Sequence, residues 1–413
     1  MESPDRFVRP ADRASSMDDR RGVKVVITKD AYGLVAGEAS SVGMSEARIE
    51  RACSYVEQVV QEGSLPLAEV LIARRGTVVC HRHFVNPNVK DMEFGIEGSA
   101  YYLASVTKLL VATLVMQQVE MGNLMLEGRV ADYIPEFGQR DKQGVTLRHL
   151  LSHSSGLPDQ LSLPITATGP MSMFLEEIYR QPLVFEPGTR SSYCTWGYTL
   201  LAELLQRVSG NNLEQLGREM LFDSLNMRDT HFGLDGEWRN KALPIYNEEM
   251  EHHHAYNTSG LLSMMRGDIG AYSTCSDLAA FCQMYLNKGA YGGEQILSPI
   301  TVQRMTERQF AWQDSPERLS GTPREQFVSL SKGLGWQVRG EGFFRGCDIM
   351  SPRAFFHGGG AGIRIIVDPE YDLTSIFMTS VMPSDIKASP LYSPSMKAQN
   401  TFGNMAFAAV VEL

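Results

Sequence analysis

The sequence lacks the short signatures of the commonest catalytic folds. It contains no Gly-x-Ser-x-Gly, His-Glu-x-x-His, Gly-x-x-x-x-Gly-Lys-Ser/Thr or Gly-x-Gly-x-x-Gly. An α/β-hydrolase elbow, a zincin, a P-loop and a dinucleotide-binding turn therefore lose their main support. The six cysteines, at 53, 80, 194, 275, 282 and 347, form no Cys-x-x-Cys pair and are too sparse in 413 residues for a disulfide scaffold. No apolar run approaches the length of a membrane span; the one after Lys108 stops near Val115. The N-terminus, MESPDRFVRPADRASSMDDRRG, has no apolar stretch of the signal-peptide kind, and residues 1–22 read as a disordered arm. No basic run exceeds Arg20-Arg21 or Arg74-Arg75, and the net charge is −10, which weighs against nucleic acid as a partner. These absences predict a cytoplasmic chain with free thiols, no cofactor and no resident metal.

What is present is globular. Apolar residues make up 43% and charged residues 21%, close to the averages of folded domains, and the length suits about two or three domains. Residues 45–62 read as an amphipathic helix with Ser45 as cap and Gly63 as stop. AEVLIARRGTVVCHRHFV reads as a hairpin turning at Arg75-Gly76. Helical patterns follow at 105–122, 146–153, 195–209, 211–222 and 276–288, the last opened by Ser276. From residue 333 the pattern becomes strands: GLGWQV, AFFHGG, IRIIVDP and TSIFMTSV, with a turn at Asp368-Pro369 and helical content at 393–412. This order is not an alternating βαβ series and predicts an α+β fold. An antiparallel sheet flanked by helices is built from 23–115 and 290–413, and 116–289 form a mostly helical second domain.

Ser-x-x-Lys occurs three times, at Ser105/Lys108, Ser329/Lys332 and Ser384/Lys387. Only Ser105-Val-Thr-Lys108 opens a strongly apolar helix, where i and i+3 place hydroxyl and amine on one face. The helix N-terminus adds partial positive charge, and burial would lower the lysine pKa. The same spacing also describes a capping serine followed by a snorkelling lysine. His252-His253-His254 reads as a solvated loop. His149 and His153 lie four apart, a ligand-like spacing, and are read as core or supporting residues.

The rest of the chain supplies context. SVTK at 105–108, TLRHLLSHSSGL at 146–157, PGTRSSYCT at 187–195, GAYSTCSDLA at 270–279, GLGW at 333–336 and His357-Gly358-Gly359 stand in the order found in the serine β-lactamase and penicillin-binding-protein-like superfamily. Roughly residues 45 to 413 resemble the class C β-lactamases and their relatives, the family VIII carboxylesterases, D-amino-acid peptidases and statin-side-chain acyltransferases. The resemblance implies an acyl-enzyme formed on Ser105, with Lys108 keeping that serine acidic and Tyr193 serving as or sharing the general base. It places the N–H groups of Ser105 and Gly360 in the oxyanion hole and His357 at the third motif's Lys or His. Gly358, Gly359 and Gly360 let a substrate lie along the strand edge, with Thr195 at the position of the motif residue that holds a substrate amide. Trp196 and Tyr198 read equally as lining the acyl pocket or as packing.

Two departures shape the expected activity. Thr195 stands where the family usually has Asn, and the third motif reads His-Gly-Gly instead of Lys-Thr-Gly. Both argue against efficient β-lactam hydrolysis and favour an esterase or acyltransferase acting on a small acyl substrate. The rival readings are a D-amino-acid peptidase or amidase, a weak β-lactamase and, outside enzymology, a catalytically silent binding module.

Overall fold

The computed structural model describes residues 16–18, 24–26, 34–89, 98–159, 162–310, 317–318, 327–328, 331–340, 347–382 and 393–413. Its main sheet takes β1 (Val35–Ala36), β2 (Leu67–Arg74) and β3 (Thr77–Val85) from the first part of the chain. The last part supplies β4 (Ser331–Lys332), β5 (Gln337–Val338), β6 (Phe355–Gly359), β7 (Ile363–Asp368) and β8 (Leu373–Met378). The spatial order is β4-β5-β6-β7-β8-β2-β3-β1, antiparallel except for the β1–β3 pair. The two chain ends thus meet at β8–β2, where Ile376 lies opposite Leu71.

Helices cover both faces. α1 (Glu46–Gln61) and α6 (Pro394–Ala408) bury Ile49, Val56, Phe402 and Phe407 against Val70, Ile72, Phe356 and Phe377. On the other face lie α2 (Thr107–Glu120) and α5 (Cys275–Leu286), over Leu71, Ile365, Val367 and Ile376. Every residue of β2 is buried for this reason: a strand covered on both sides loses the polar alternation of a half-exposed one. α2 is buried from Thr107 to Gln118, the condition of a helix enclosed by protein on all sides. It also packs against α4 (Trp196–Ser209), which in turn packs on α3 (Leu147–Leu151). No helix among the described residues is long and apolar enough to cross a membrane.

Several local expectations change. GLGW is the turn between β4 and β5, with Gly333 N–H bonded to Trp336 O at 2.8 Å. Thr274, not Ser276, caps α5, accepting from Asp277 N–H at 3.2 Å. Ser45 occupies the N-cap of α1 without a side-chain bond. α5 falls within 116–289 yet packs on β2, β7 and β8, because most of its positions are apolar and buried. Within the arm assigned to 1–22, Ser16–Asp18 pairs with Lys24–Val26; the arm's other residues lie outside the described ones, as do Ser329, Ser384 and Lys387.

Candidate active site

Ser105 sits in a tight turn at the entrance of α2. A 3-10 turn over Ala104–Val106 precedes the α-helix, and Ala104 has φ 46°. That left-handed conformation costs a residue with a Cβ about 1–2 kcal/mol, so neighbouring structure must impose it. Leu103 N–H donates to Ala271 O at 2.9 Å, and Val106 N–H to Leu103 O at 3.1 Å.

Lys108 follows one helical turn later and is completely buried. Its Nζ donates to Ser105 Oγ at 3.1 Å and to the backbone oxygen of Asp268 at 2.8 Å. Burial pushes the Lys108 ammonium down to about 8, against the opposing pull of Asp268 and Asp159. The snorkelling alternative is thereby excluded: this lysine points inward, onto the serine.

Tyr193 reaches the same place from the loop before α4. Ser192 N–H donates to His153 O at 2.8 Å, and Cys194 N–H to His153 Nδ1 at 3.1 Å. The Tyr193 ring stacks on the His153 ring with centroids 4.4 Å apart. Lys108 Nζ lies 5.2 Å from the Tyr193 centroid. The imidazole that receives Cys194 N–H is neutral; burial first, then Lys332, Lys108 and His357, hold its pKa well below the usual value. His153, at φ 56°, stands beyond the end of α3. His149 instead closes a capping box with Thr146, so the two imidazoles have separate structural roles.

β6 brings the third motif. His357 is buried and donates Nδ1–H to Gly358 O at 2.9 Å. Burial, with Lys108 and Lys332 nearby, pushes its pKa down to about 3, so it is neutral under ordinary conditions. A Cβ on Gly359 would come within 2.4 Å of Leu103 O. The strand therefore runs hard against the Ser105 turn, and Gly360 follows directly at its end. Gly359→Ala forces these two backbones apart. Displacements near 1 Å cost about a hundredfold in catalysis, and kcat/KM on an ester is expected to fall by that order while circular dichroism is unchanged. A variant within twofold of wild type refutes the requirement.

Neutral His357 also makes a stability prediction. An unfolded histidine titrates near 6.5, so between about 3 and 6.5 the unfolded chain binds a proton that the native site refuses. Stability rises with pH through this window and is lost as pH falls, by up to about 1.4 kcal/mol per pH unit for this group. Urea unfolding from pH 4.5 to 7 is expected to show a shallower pH slope in His357→Gln than in wild type. Parallel slopes refute the assignment.

Thr195 is buried at the start of α4, its N–H bonded to Asp159 Oδ1 at 2.6 Å. Trp196 is 2% exposed, stacks near Phe174 and donates Nε1–H to Asp159 O at 3.0 Å. Its surface is spent on packing. Tyr198 is likewise internal, donating to Leu151 O at 2.8 Å, and Cys194 is a buried thiol.

Three contributors escape the sequence reading. Asp159 orients the chain at Thr195 and Trp196; its signal is its place directly after Ser155-Gly-Leu-Pro158. The buried pair Arg266–Asp268, closed at 2.6 Å, fixes the carbonyl that holds Lys108. Arg266 also lies 4.8 and 4.9 Å from the Phe174 and Trp196 rings. Lys332, noted in the sequence only as the end of a Ser-x-x-Lys match, is 4% exposed and places Nζ 5.4 Å from the Tyr193 centroid.

Among the described residues, one group outside this site offers metal-ligand chemistry. Glu69, His81 and Cys275 present donor atoms within 4.8 Å of one another. His81 Nε2 is already 2.7 Å from Glu69 Oε1, and burial with the Glu69 charge raises the Cys275 thiol far from the thiolate a metal needs. In this structure Glu69 and His81 form a part-buried carboxylate–imidazole pair on the sheet.

Comparison with known proteins agrees with this arrangement. The family model described as Beta-lactamase matches residues 54–391. A protein of Escherichia coli (strain K12) named "Putative D-alanyl-D-alanine carboxypeptidase" is 25% identical over 407 residues, covering 88% of this chain and 89% of its own. A penicillin-binding protein homolog from Caulobacter crescentus superposes with a TM-score of 0.69 at 19% identity, over 89% of this chain and 99% of its own. EstCE1, titled a hydrolase with promiscuous acyltransferase activity, gives 0.67 at 18% identity, over 86% and 99%. At such identities the solved structures speak for the fold alone. The family match spans most of the chain, and with a two-ended antiparallel sheet over a buried Ser-x-x-Lys it leads to one conclusion: this chain belongs to the beta-lactamase family.

Proposed function

We propose that the chain is a serine hydrolase that forms an acyl-enzyme on Ser105 and acts on esters or related acyl compounds, as an esterase or an acyltransferase. The observation that carries this is Lys108, completely buried, 3.1 Å from Ser105 Oγ and held beside the Tyr193 ring. A buried amine with a lowered pKa keeps an adjacent hydroxyl reactive. In the proposed reaction Tyr193 Oη takes the Ser105 proton as Oγ bonds to the acyl carbon. The N–H groups of Ser105 and Gly360 receive the oxyanion. Collapse expels the alcohol, which leaves with the proton from Tyr193. Water or a second acceptor then attacks acyl-Ser105 with the proton path reversed.

Ester substrates fit this site better than peptides with a terminal carboxylate. Neutral His357 offers no charge to such a group, and Thr195 replaces an amide donor with a short hydroxyl. Intact-protein mass spectrometry after p-nitrophenyl butyrate, and separately after a fluorophosphonate, tests the reading. A butyryl adduct with p-nitrophenol release, absent in Ser105→Ala, is expected. Adding an alcohol acceptor then separates transfer from hydrolysis by the product formed. A folded wild type that takes up neither group refutes the acyl-enzyme and leaves the binding-module reading.

A further inference from the structure

We propose that Lys332 is the second cation of this site, acting with Lys108 to hold Tyr193 as a phenolate and so to set the pH at which Ser105 becomes reactive. The proposal deepens the acyl-enzyme reading and rests on its assignment of Tyr193. It concerns a residue that the third motif does not contain and that arrives from a different strand.

The first support is position. Lys332 Nζ is 5.4 Å from the Tyr193 centroid, against 5.2 Å for Lys108. Both lysines are at least nine-tenths buried, so little water screens their charge. An opposite charge within a few ångströms shifts an ionisable group by roughly 1–3 units toward its charged form.

The second support is how firmly Lys332 is placed. It ends β4, opposite Gln337 of β5, and its backbone oxygen accepts from Gln309 N–H at 3.0 Å. The Gly333–Trp336 turn that follows is wedged into the helices. Gly335 N–H donates to Leu151 O at 3.1 Å. At φ 90°, a Cβ on Gly335 would lie 2.6 Å from Ala112 Cβ. The turn is thus fixed to the end of α3 and the side of α2, the helix that carries Lys108.

The third support is the charge balance around Tyr193. α2 contributes Lys108 and β4 contributes Lys332. The imidazoles of His153 and His357 are neutral, and both lysines are among the causes that keep them so. The Cys194 thiol is pushed up to about 12 by burial, and Tyr198 is held as a phenol for the same reason. Of the carboxylates, Asp268 is closed on Arg266, while Asp159 receives Thr195 N–H. Arg364 of β7 also acts on His357, and among the described residues the amines of Lys108 and Lys332 both lie close to the Tyr193 ring. His357 stands where a cation is expected and carries none; Lys332 restores the charge from the side.

The step this enables balances simply. The phenolate Oη takes the Ser105 hydroxyl proton as Oγ bonds to the acyl carbon, and the resulting phenol protonates the departing alkoxide. Lys332 touches neither reacting atom and is a positioning residue.

The test follows Tyr193 directly. Wild type, Lys332→Met, Lys332→Gln and Lys332→Arg are prepared with 13C at tyrosine Cζ, and the Tyr193 signal is assigned by its loss in Tyr193→Phe. In wild type and Lys332→Arg, Tyr193 is expected to titrate below the ordinary tyrosine value of about 10. In Lys332→Met and Lys332→Gln it moves up by about one unit or more. The acid limb of the fluorophosphonate labelling rate moves equally, which slows labelling about tenfold at pH 7. An unmoved Tyr193 titration in either folded neutral variant overturns the proposal. Slower labelling with an unshifted pH profile, or a change confined to KM, also overturns it, in favour of packing or a substrate clamp. If wild type takes no label while Tyr193 still moves with Lys332, the charge assignment stands and the acyl-enzyme reading falls.

Discussion

Ser105→Ala is expected to lower kcat on p-nitrophenyl butyrate by about 10⁴–10⁶-fold and to leave the melting temperature nearly unchanged. The size follows from the proposed acyl-enzyme, in which Ser105 Oγ carries the acyl group; what survives comes from oxyanion donors and substrate binding. The small thermal effect follows from the contacts. Ser105 Oγ has Lys108 as its partner, and Lys108 keeps the Asp268 carbonyl at 2.8 Å after the hydroxyl is gone. Tyr193→Phe, which takes away proton transfer alone, is expected to cost about 10²–10⁴-fold. The double variant is expected to be no slower than Ser105→Ala, because groups acting in one step are not additive. A double variant much slower than Ser105→Ala would show that Tyr193 serves some function independent of Ser105, and would remove it from the proton path.

The sheet was legible because its strands carry two independent signals. β2 and β3 join at Arg75-Gly76, where both residues have positive φ (51° and 74°), and β7 and β8 flank Asp368-Pro369. Local turn chemistry and apolar runs suffice to place such elements. The serine and its lysine were legible for a similar reason, since i and i+3 on one apolar helix is a local relation. The tyrosine needed the superfamily resemblance, because nothing near residue 193 shows that it will stack on His153.

The remainder depends on contacts between distant segments. GLGW reads as a strand by composition, but the positive φ of Gly335 and its approach to α2 make it a turn. Lys332 reads as the end of an unremarkable Ser-x-x-Lys match; only the fold carries it to Tyr193. His357 reads as the residue at the third motif's Lys or His, and its neutrality comes from burial first and then from the nearby Lys108 and Lys332. α5 reads as part of a helical domain until its mostly apolar, buried surface is seen against the sheet. In each case the deciding partner lies far away in the chain, and periodicity carries no information about it.

The buried pair beneath Lys108 is the strongest example, and it leads to the second large effect. Asp268→Ala is expected to destabilise the protein by about 3–5 kcal/mol. Arg266 and Asp268 are both fully buried and joined by two bonds, Nε to Oδ1 at 3.1 Å and Nη2 to Oδ2 at 2.6 Å. Alanine leaves the guanidinium in the interior with the Ile165 carbonyl and two aromatic faces as its remaining company. For a chain of this length the loss corresponds to a drop in melting temperature on the order of 5 °C. The local backbone has little room to adjust. A Cβ on Gly267 would lie 2.4 Å from Ala202 Cβ, and one on Gly270 would lie 2.5 Å from the Arg266 nitrogen. The Asp268 carbonyl that receives Lys108 is part of this loop, so activity should fall further than the unfolded fraction explains. Replacing both partners, as Arg266→Met with Asp268→Leu, removes the stranded charge and is expected to recover much of the stability. It should not recover the activity if the pair's function is to hold the 268 carbonyl on Lys108. Thermal melts and kcat on the same three proteins decide this. An Asp268→Ala protein within about 1 kcal/mol of wild type would mean that water or another carboxylate reaches Arg266, and the pair would then lose its place as the support of Lys108.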